Sequence, residues 1–420
     1  MTVIARTPPP ADASASVRPA PHIPPRATRA HRIADAAEAI AIAHALAAEF
    51  AAGAAERDRT RRLPIAEIDR YSRSGLWGIL VPKAHGGPGV SAATLAEVTA
   101  IIAAADASIG QIPQNHHYMV EAIRLGASEA QKRVLFERVL DGDRLGNCFT
   151  EIGGRTPVDF KTRIVPDGEG YVLSGEKFYS TGSLFAHLLV VVAADADGRS
   201  HLVFLERATP GLTLVDDWSG FGQRTTGSGT SRFDAIPVTA FQVVPHQTVF
   251  DVPTSMGPVA QILHAAVDLG IARAALADAV SFTKRHARPW FETDYAHGSD
   301  DPHVVAEVGD LVIRVHAAEA LVARAARFTD AAIAAPTDES VAEASIAVAE
   351  AKAITTAASV HVASKLFELT GARSTLEQFG FDRHWRNART HTLHDPVRYK
   401  YVAVGNYVLN GVPPARHGAL

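Results

Sequence analysis

One cysteine, Cys148, is all that the 420 residues contain. No internal disulfide framework can be built from it, and such scarcity suits a reducing compartment. A dominant charge is missing too. Lys and Arg number 41 against 45 Asp and Glu, a formal net charge of −4, and no block of basic residues forms an electrostatic footprint for nucleic acid. No continuous apolar run approaches the ~18–20 residues that a membrane span needs. The first residues carry Arg6 and several prolines but not the apolar stretch of a secretory signal. These absences predict a cytoplasmic protein with no nucleic-acid and no membrane partner. The length allows two or three structural units around sizeable cores.

Residues 1–30 are rich in Pro, Ala and Arg and lack periodicity, which predicts a mobile arm. From 31 to 145 the pattern is helical: 33–56 is Ala-rich, and 64–77 and 92–105 repeat apolar residues at helical spacing. The intervening VPKAHGGPGVS (81–91) is a loop punctuated by Pro82, Gly86, Gly87 and Pro88. Its glycines lack the strand, helix and Lys-Ser/Thr context of a phosphate loop. Between 146 and 250 short runs rich in Val, Leu, Phe and Tyr alternate with Gly, Asp and Pro, among them 159–165, 170–175, 187–194, 201–206 and 230–236. That spacing predicts an antiparallel β-domain. From 251 to 420 long helices return, at 258–287, 303–333 and 339–370, apolar around most of their circumference. They suit a four-helix bundle that also forms an oligomer interface. The fold class is α+β, mostly α.

Chemistry concentrates in FDRHWRNARTHTLHDPVRYK (381–400), with four arginines, three histidines, two aspartates and a tryptophan. Asp395-Pro396 should separate two helices, because a residue before proline is pushed away from helical geometry. His391 and His394 then sit near a helix end, where histidine can hold or release a proton near neutral pH. A polar helix end at a subunit contact is the plainer alternative. A metal site from His391, His394 and Asp395, with His384, is conceivable by residue type but lacks an ordinary ligand spacing. NCFTEIGGRT (147–156) and GEKFYSTGSLFAHLLVV (175–191) each place hydroxyls and small residues in a turn beside aromatic ones. A flat redox-active ring needs such donors at its edge and such walls at its face, although either segment could be an ordinary hairpin.

The order of these segments resembles the acyl-CoA dehydrogenase superfamily, over about residues 33–412. The resemblance implies that fold, with an N-terminal helical domain, a central antiparallel β-domain and a C-terminal four-helix bundle. It puts Asn147, Thr150 and the Gly153-Gly154 turn on a first flavin-contacting loop, and Tyr179, Ser180 and Thr181 on a second. The departures matter as well. Where that superfamily carries a C-terminal glutamate as base, this chain reads HTLHDP, and GPVAQILHAAVDLG (257–270) offers no glutamate either. The segments that grip the adenylate half of FAD have become KRHARPWFE (284–292) and FELTGARSTLEQ (367–378). FMN fits better than FAD.

Those substitutions, with SIGQIPQNHH (108–117), KFYSTGSLFA (177–186), DDWSGFGQRTTGSGT (216–230), ARPW (287–290) and DRHWRNARTHTLHDP (382–396), are similar to a flavin-dependent monooxygenase subgroup. Within it the chain resembles the sulfur-acquisition oxidoreductase (SfnB) family and the dibenzothiophene monooxygenases. The resemblance implies a separate reductase that supplies reduced FMN, a flavin hydroperoxide, and delivery of one oxygen atom to a small organosulfur compound. His116 and His394 become the expected proton-transfer residues, with Asn147, Ser180 and Ser183 as polar groups near the ring. His117 is the weaker of the two adjacent histidines. Tyr118, Trp218 and His391 are expected at the substrate, and Arg285, Arg288, Arg373 and Ser374 at the FMN phosphate. A homotetramer is expected. A true acyl-CoA dehydrogenase with FAD and a relocated base, and a flavin- or ligand-binding protein without turnover, stay open as alternatives.

Overall fold

The computed structural model describes residues 18–23, 29–153, 156 and 159–419. Six helices come first: α1 (Ala36–Ala51), α2 (Ala54–Thr60), α3 (Ile65–Arg73), α4 (Ala92–Ala105), α5 (Ala107–Gly126) and α6 (Glu129–Leu140). Their starts are written locally. Ser91 accepts the Thr94 N–H at the head of α4, and Asp106 accepts those of Ser108 and Ile109 at the head of α5. Ser128 and Gln131 cap each other's backbone at α6. Each side chain satisfies amides that the first helical turn leaves without partners.

Nine strands are described: β1 (Arg18–Pro19), β2 (Leu145–Cys148), β3 (Arg163–Asp167), β4 (Gly170–Lys177), β5 (Leu188–Ala194), β6 (Ser200–Glu206), β7 (Leu212–Asp216), β8 (Ser231–Thr239) and β9 (Val243–Pro245). The sheet runs β1-β7-β8-β4-β3-β5-β6-β9, with β2 attached to β5. It is mixed rather than purely antiparallel, since β2 lies parallel to β5 over four residues and β3 meets β5 in parallel at Arg163 and Ala194. The reason is that β2 enters directly from α6 instead of through a hairpin. The β5 sequence LLVVVAA is buried at every position, as expected for a strand covered on both faces.

Part of the segment expected to be a mobile arm is docked. Arg18 and Pro19 pair antiparallel with Asp216 and Val215, Arg207 donates to the Pro21 carbonyl at 2.9 Å, and Ile23 is buried. Residues 1–17 and 24–28 lie outside the described residues.

After the short α7 (Gln247–Phe250) come α8 (Met256–His286), α9 (Pro302–Ala334), α10 (Asp338–Thr370), α11 (Asp382–His391) and α12 (Arg398–Asn410). The core of the bundle is formed by α8, α9 and α10 together with α4, which contributes Ala92, Ala96 and Ala100. By length and composition α8 could cross a bilayer, contrary to the expectation that no stretch comes near that, yet 83% of its apolar window is buried inside the protein. It is the central core helix.

Small residues let α4 and α8 approach closely. A Cβ at Gly270 would lie 2.5 Å from the Ala100 carbonyl oxygen and 2.7 Å from the Ala103 Cβ. Gly270→Ala gains about 0.5–1 kcal/mol of helix propensity but overpacks backbone, at a cost of about 1–3 kcal/mol. The variant is therefore expected to unfold at lower urea. An unchanged or raised midpoint would mean that the two helices move apart freely.

Candidate active site

Helix α5 is the wall against which the site is built. It packs on β2 and on the turn that follows β4: Ile112 lies beside Gly182, and the His116 ring reaches the start of β2. At that junction Asn147 receives its backbone register from the Thr181 carbonyl at 3.3 Å, and its Nδ2 donates to the Tyr179 carbonyl at 3.3 Å. Its Oδ1 is buried without a partner, as is the Ser183 Oγ. Gln111 Oε1, Gln114 Oε1 and His117 Nδ1, all on α5, are buried and unpartnered as well. Buried polar atoms in this condition can take a bound polar molecule as their partner. Thr181 pairs its hydroxyl with Ser228 at 2.7 Å and so contributes backbone and packing, whereas the Ser180 Oγ, beside the Cys148 thiol, is buried without a hydrogen-bond partner, like that of Ser183.

The first loop is anchored by a buried ion pair. Glu151 takes Lys177 Nζ at 2.7 Å and the amides of Lys161 and Thr162, while the Thr150 carbonyl accepts the Phe178 N–H at 2.9 Å. An open cavity of about 380 Å³ lies beside it, lined in part by Ile152, Lys177, Phe178 and Thr230. Gly153 holds φ +84° in its turn, whereas Gly154 lies outside the described residues. On the second loop Tyr179 sits at φ +56°, a conformation that bulky residues rarely adopt. Its ring is half-exposed, with the Trp218 ring 6.0 Å away and Phe178 at 4.8 Å. Together they form an aromatic wall.

The structure separates the two adjacent histidines in the reverse of the expected order. The His116 Nδ1 accepts the Leu145 N–H at 3.0 Å, and its Nε2 reaches the Trp77 carbonyl at 2.9 Å. Both nitrogens serve the backbone, and burial pushes the pKa down to about 3. His116 is thus a neutral tie between α5, β2 and the Trp77 turn, with nothing free for proton transfer. His117 carries the unpartnered nitrogen.

Other expected residues also move. Tyr118 spends its hydroxyl on His246 at 3.0 Å and packs edge-on to Phe149. The Ser374 hydroxyl donates to the Gly371 carbonyl at 2.8 Å, which leaves the exposed Arg373 beside it. Arg285 and Arg288 are exposed at the end of α8. That end packs on the segment that follows Arg373, since Phe282 and His286 meet Phe379. No hydrogen bond or ring contact among the described residues joins these arginines to Asn147 or to the Tyr179–Ser183 turn. Within one chain the phosphate and ring candidates are not brought together.

The break at Asp395-Pro396 falls between α11 and α12, as expected, and it delivers His391 and His394 to a buried cluster. His391 is closed to substrate. Its Nδ1 lies 2.5 Å from Asp268 Oδ1 and its Nε2 3.3 Å from His264 Nδ1. The Asp268 Oδ2 takes Lys352 Nζ at 2.6 Å, and His264 Nε2 meets Gln114 Nε2 at 2.5 Å. His394 is different. Its side chain is 46% exposed, its ring lies over His264 with centroids 3.9 Å apart, and its Nδ1 faces Asp395 Oδ1 at 3.3 Å. It is the accessible histidine above a buried set.

Sequence reading passed over His264, Asp268, Lys352 and Gln114. The signals were faint: a His and an Asp four apart in an apolar helix, and one lysine in an alanine-rich helix. Burial would raise the Asp268 pKa, but Lys352 and His391 outweigh it and hold the carboxylate below its ordinary range. Burial pushes His264 well below its ordinary value, with the neighbouring His394 and His391 adding to the effect.

Metal ligation does not follow from the cluster. His264, His394 and Asp395 can bring ligand atoms within 4.8 Å of one another. However, both His264 nitrogens are engaged, and Asp395 carries Lys400 at 3.0 Å. His384, the fourth member considered, is turned to Asp278 at 2.7 Å.

Two family models match, the acyl-CoA dehydrogenase N-terminal domain over residues 36–143 and C-terminal domain over 262–399. A dibenzothiophene monooxygenase of Rhodococcus erythropolis is 34% identical, over 89% of this chain and 94% of the relative. The chain belongs to the acyl-CoA dehydrogenase superfamily, in its flavin-dependent monooxygenase branch. A probable FMNH2-dependent monooxygenase of Pseudomonas putida is also 34% identical, over 90% of this chain and 96% of its own length. That relative is named SfnC, whereas the sequence resemblance pointed to SfnB. The FMN-bound structure of TdsC from Paenibacillus sp. A11-2 superposes with a TM-score of 0.87 at 32% identity, over 91% of this chain and all of that one.

Proposed function

We propose that this member of the branch is the oxygenase half of a two-component system. It takes reduced FMN from a separate flavin reductase and, with O2, oxygenates a small organosulfur compound in sulfur acquisition. The observation that carries the reading is the group of buried, unpartnered polar atoms where α5, β2 and the Tyr179–Ser183 turn meet. Asn147 Oδ1 and Ser183 Oγ offer an acceptor and a hydroxyl to the polar edge of a flavin, and Tyr179 and Trp218 offer an aromatic wall. When bound, reduced FMN supplies the electrons with which O2 is activated for transfer of one oxygen atom to substrate.

The chain's own residues have three tasks. Asn147, Ser183 and the Thr181 backbone orient the ring. His394, half-exposed, handles protons, while His117, held neutral by burial and by the adjacent His116, offers its free nitrogen as a hydrogen-bonding group. The buried surroundings exclude the water that would waste activated oxygen. Arg285, Arg288 and Arg373 suit the phosphate, and their separation from Asn147 within one chain favours a grip completed by a second protomer. A dehydrogenase needs a free carboxylate base, and the carboxylates in the cluster have none to spare. Asp268 is divided between His391 and Lys352, and Asp395 between His394 and Lys400.

Oxygen uptake with a flavin reductase, NADH and FMN, measured against sulfides, sulfones, sulfinates and acyl-CoAs, tests the reading. Oxygenated product from a sulfur compound is expected, and oxidation of an acyl-CoA without oxygen would sink it. In anaerobic titration reduced FMN should bind more tightly than FAD. FAD tighter by tenfold, about 1.4 kcal/mol, would contradict the altered adenylate segments.

A cytoplasmic homotetramer is part of the same proposal. Helix α12 leaves Val402, Val408 and Leu409 at 60%, 75% and 83% exposure, an apolar face that a monomer would leave in water. Light scattering at micromolar concentration should return an oligomer of about four chains, and a monomer would refute it.

A further inference from the structure

The cluster under His394 contains a buried ion pair that touches neither the expected flavin loops nor solvent. Lys352 on α10 and Asp268 on α8 are each fully buried, 2.6 Å apart, with the Thr356 hydroxyl 3.3 Å from the same carboxylate oxygen. Burying two charges is expensive, and such a pair stabilises a fold weakly compared with apolar packing. Its presence therefore calls for another role. We propose that Lys352 and Asp268 are positioning residues that set the proton positions along His391, His264 and Gln114, so that His391, the ring beyond His264 in the cluster beneath His394, is neutral.

The argument follows the donors and acceptors. With Lys352 on Oδ2, Asp268 is ionised and can only accept. The His391 Nδ1, 2.5 Å from Oδ1, must then carry a hydrogen, since a lone pair there would face the carboxylate. In neutral His391 the Nε2 is an acceptor, so His264 Nδ1, 3.3 Å away, carries its hydrogen and donates. That leaves His264 Nε2 as an acceptor for the Gln114 amide N–H at 2.5 Å. Each hydrogen shared along Asp268, His391, His264 and Gln114 has one acceptor, and within that row the only charges are the Lys352–Asp268 pair.

A second complete arrangement exists. If His391 were an imidazolium, it would donate from both nitrogens and His264 would have to reverse. Its Nε2–H would then point at Gln114, whose Oε1 is at present buried without a partner and would be turned inward. Lys352 decides between the two, because an uncompensated Asp268 would draw the proton onto His391. The consequence reaches His394. An imidazolium at His391, whose ring centroid is 5.2 Å from that of His264, would place a positive charge one ring away from His394, which lies 3.9 Å from His264, whereas a neutral His391 places none there. The other charged groups that face these rings are Asp395 after α11 and Lys400 on α12, which pair with each other.

The proton positions do not depend on the reaction; their effect on turnover rests on the proposed monooxygenase function. The test is 15N solid-state NMR of histidine-labelled full-length protein, with His391 assigned through His391→Gln. In wild type at pH 7, His391 is expected neutral with its hydrogen on Nδ1. In Lys352→Met it is expected to be an imidazolium, and in Lys352→Met/Asp268→Asn, where both charges are gone and folding is easier, neutral again. An imidazolium in wild type, or a neutral His391 in Lys352→Met, overturns the proposal whatever the protein oxidises. With the reductase system, the product-to-peroxide ratio should fall about 10- to 100-fold in Lys352→Met, the range seen when a partner that orients a metal-bound histidine is lost. It should recover in the double variant. An unchanged ratio beside an imidazolium spectrum refutes the link to His394. A wild type that oxygenates nothing refutes the monooxygenase reading and leaves the spectra standing.

Discussion

Replacing His394 by alanine is expected to cut formation of oxygenated product by about 10²–10⁴, the usual contribution of a positioned acid–base group. The fold and the oligomer should survive, because the side chain is 46% exposed and its one hydrogen-bond partner, Asp395, keeps Lys400. Oxygen consumption should continue, with more of it released as hydrogen peroxide. The measurement is the ratio of product to peroxide at saturating reduced FMN. A variant that keeps both the wild-type ratio and rate would make His394 a structural residue. His117→Ala is expected to move the ratio in the same direction, since it removes the buried free nitrogen on α5.

A different result is expected from His116→Ala: a loss of stability. The alanine leaves the Trp77 carbonyl and the Leu145 N–H buried without partners, at about 1–3 kcal/mol each. It also empties the space of a ring whose centroid is 4.5 Å from that of Trp77. A loss of roughly 3–5 kcal/mol is large against the ~5–15 kcal/mol that holds a typical domain. The urea midpoint should drop, and the correctly folded fraction should keep its product-to-peroxide ratio. The native pKa of about 3 lies below the ordinary 6.5, so acid favours the unfolded chain. The stability that His116 supplies is complete above about pH 6.5 and declines as pH falls toward 3. His116→Ala should accordingly be less sensitive to acid over that range. If it keeps the wild-type midpoint and loses product instead, His116 is the proton-transfer residue after all.

The succession of helices, strands and helices was legible in the chain because periodicity, caps and turn residues act over a few neighbours. Ser128 with Gln131, and Pro396 after Asp395, needed no knowledge of the rest of the molecule. The Asn147 and Tyr179–Thr181 loops could be found as motifs, since each is contiguous. Which of His116 and His117 is free could not be read there. The two are adjacent on α5 and chemically identical, and the choice is made by a carbonyl at 77 and an amide at 145. The parallel entry of β2 beside β5 likewise depends on residues more than 40 positions apart. The buried cluster shows the limit most clearly. Asp268 and Lys352 are 84 residues apart, His264 and His391 127, and Gln114 and His264 150. A lone lysine in an alanine-rich helix becomes meaningful only when packing sets α10 against α8 and excludes water. Local residues determined the elements and the two loops proposed to meet flavin; the packing of distant helices decided which histidines are tied, which are free, and which buried charges lie together beneath His394.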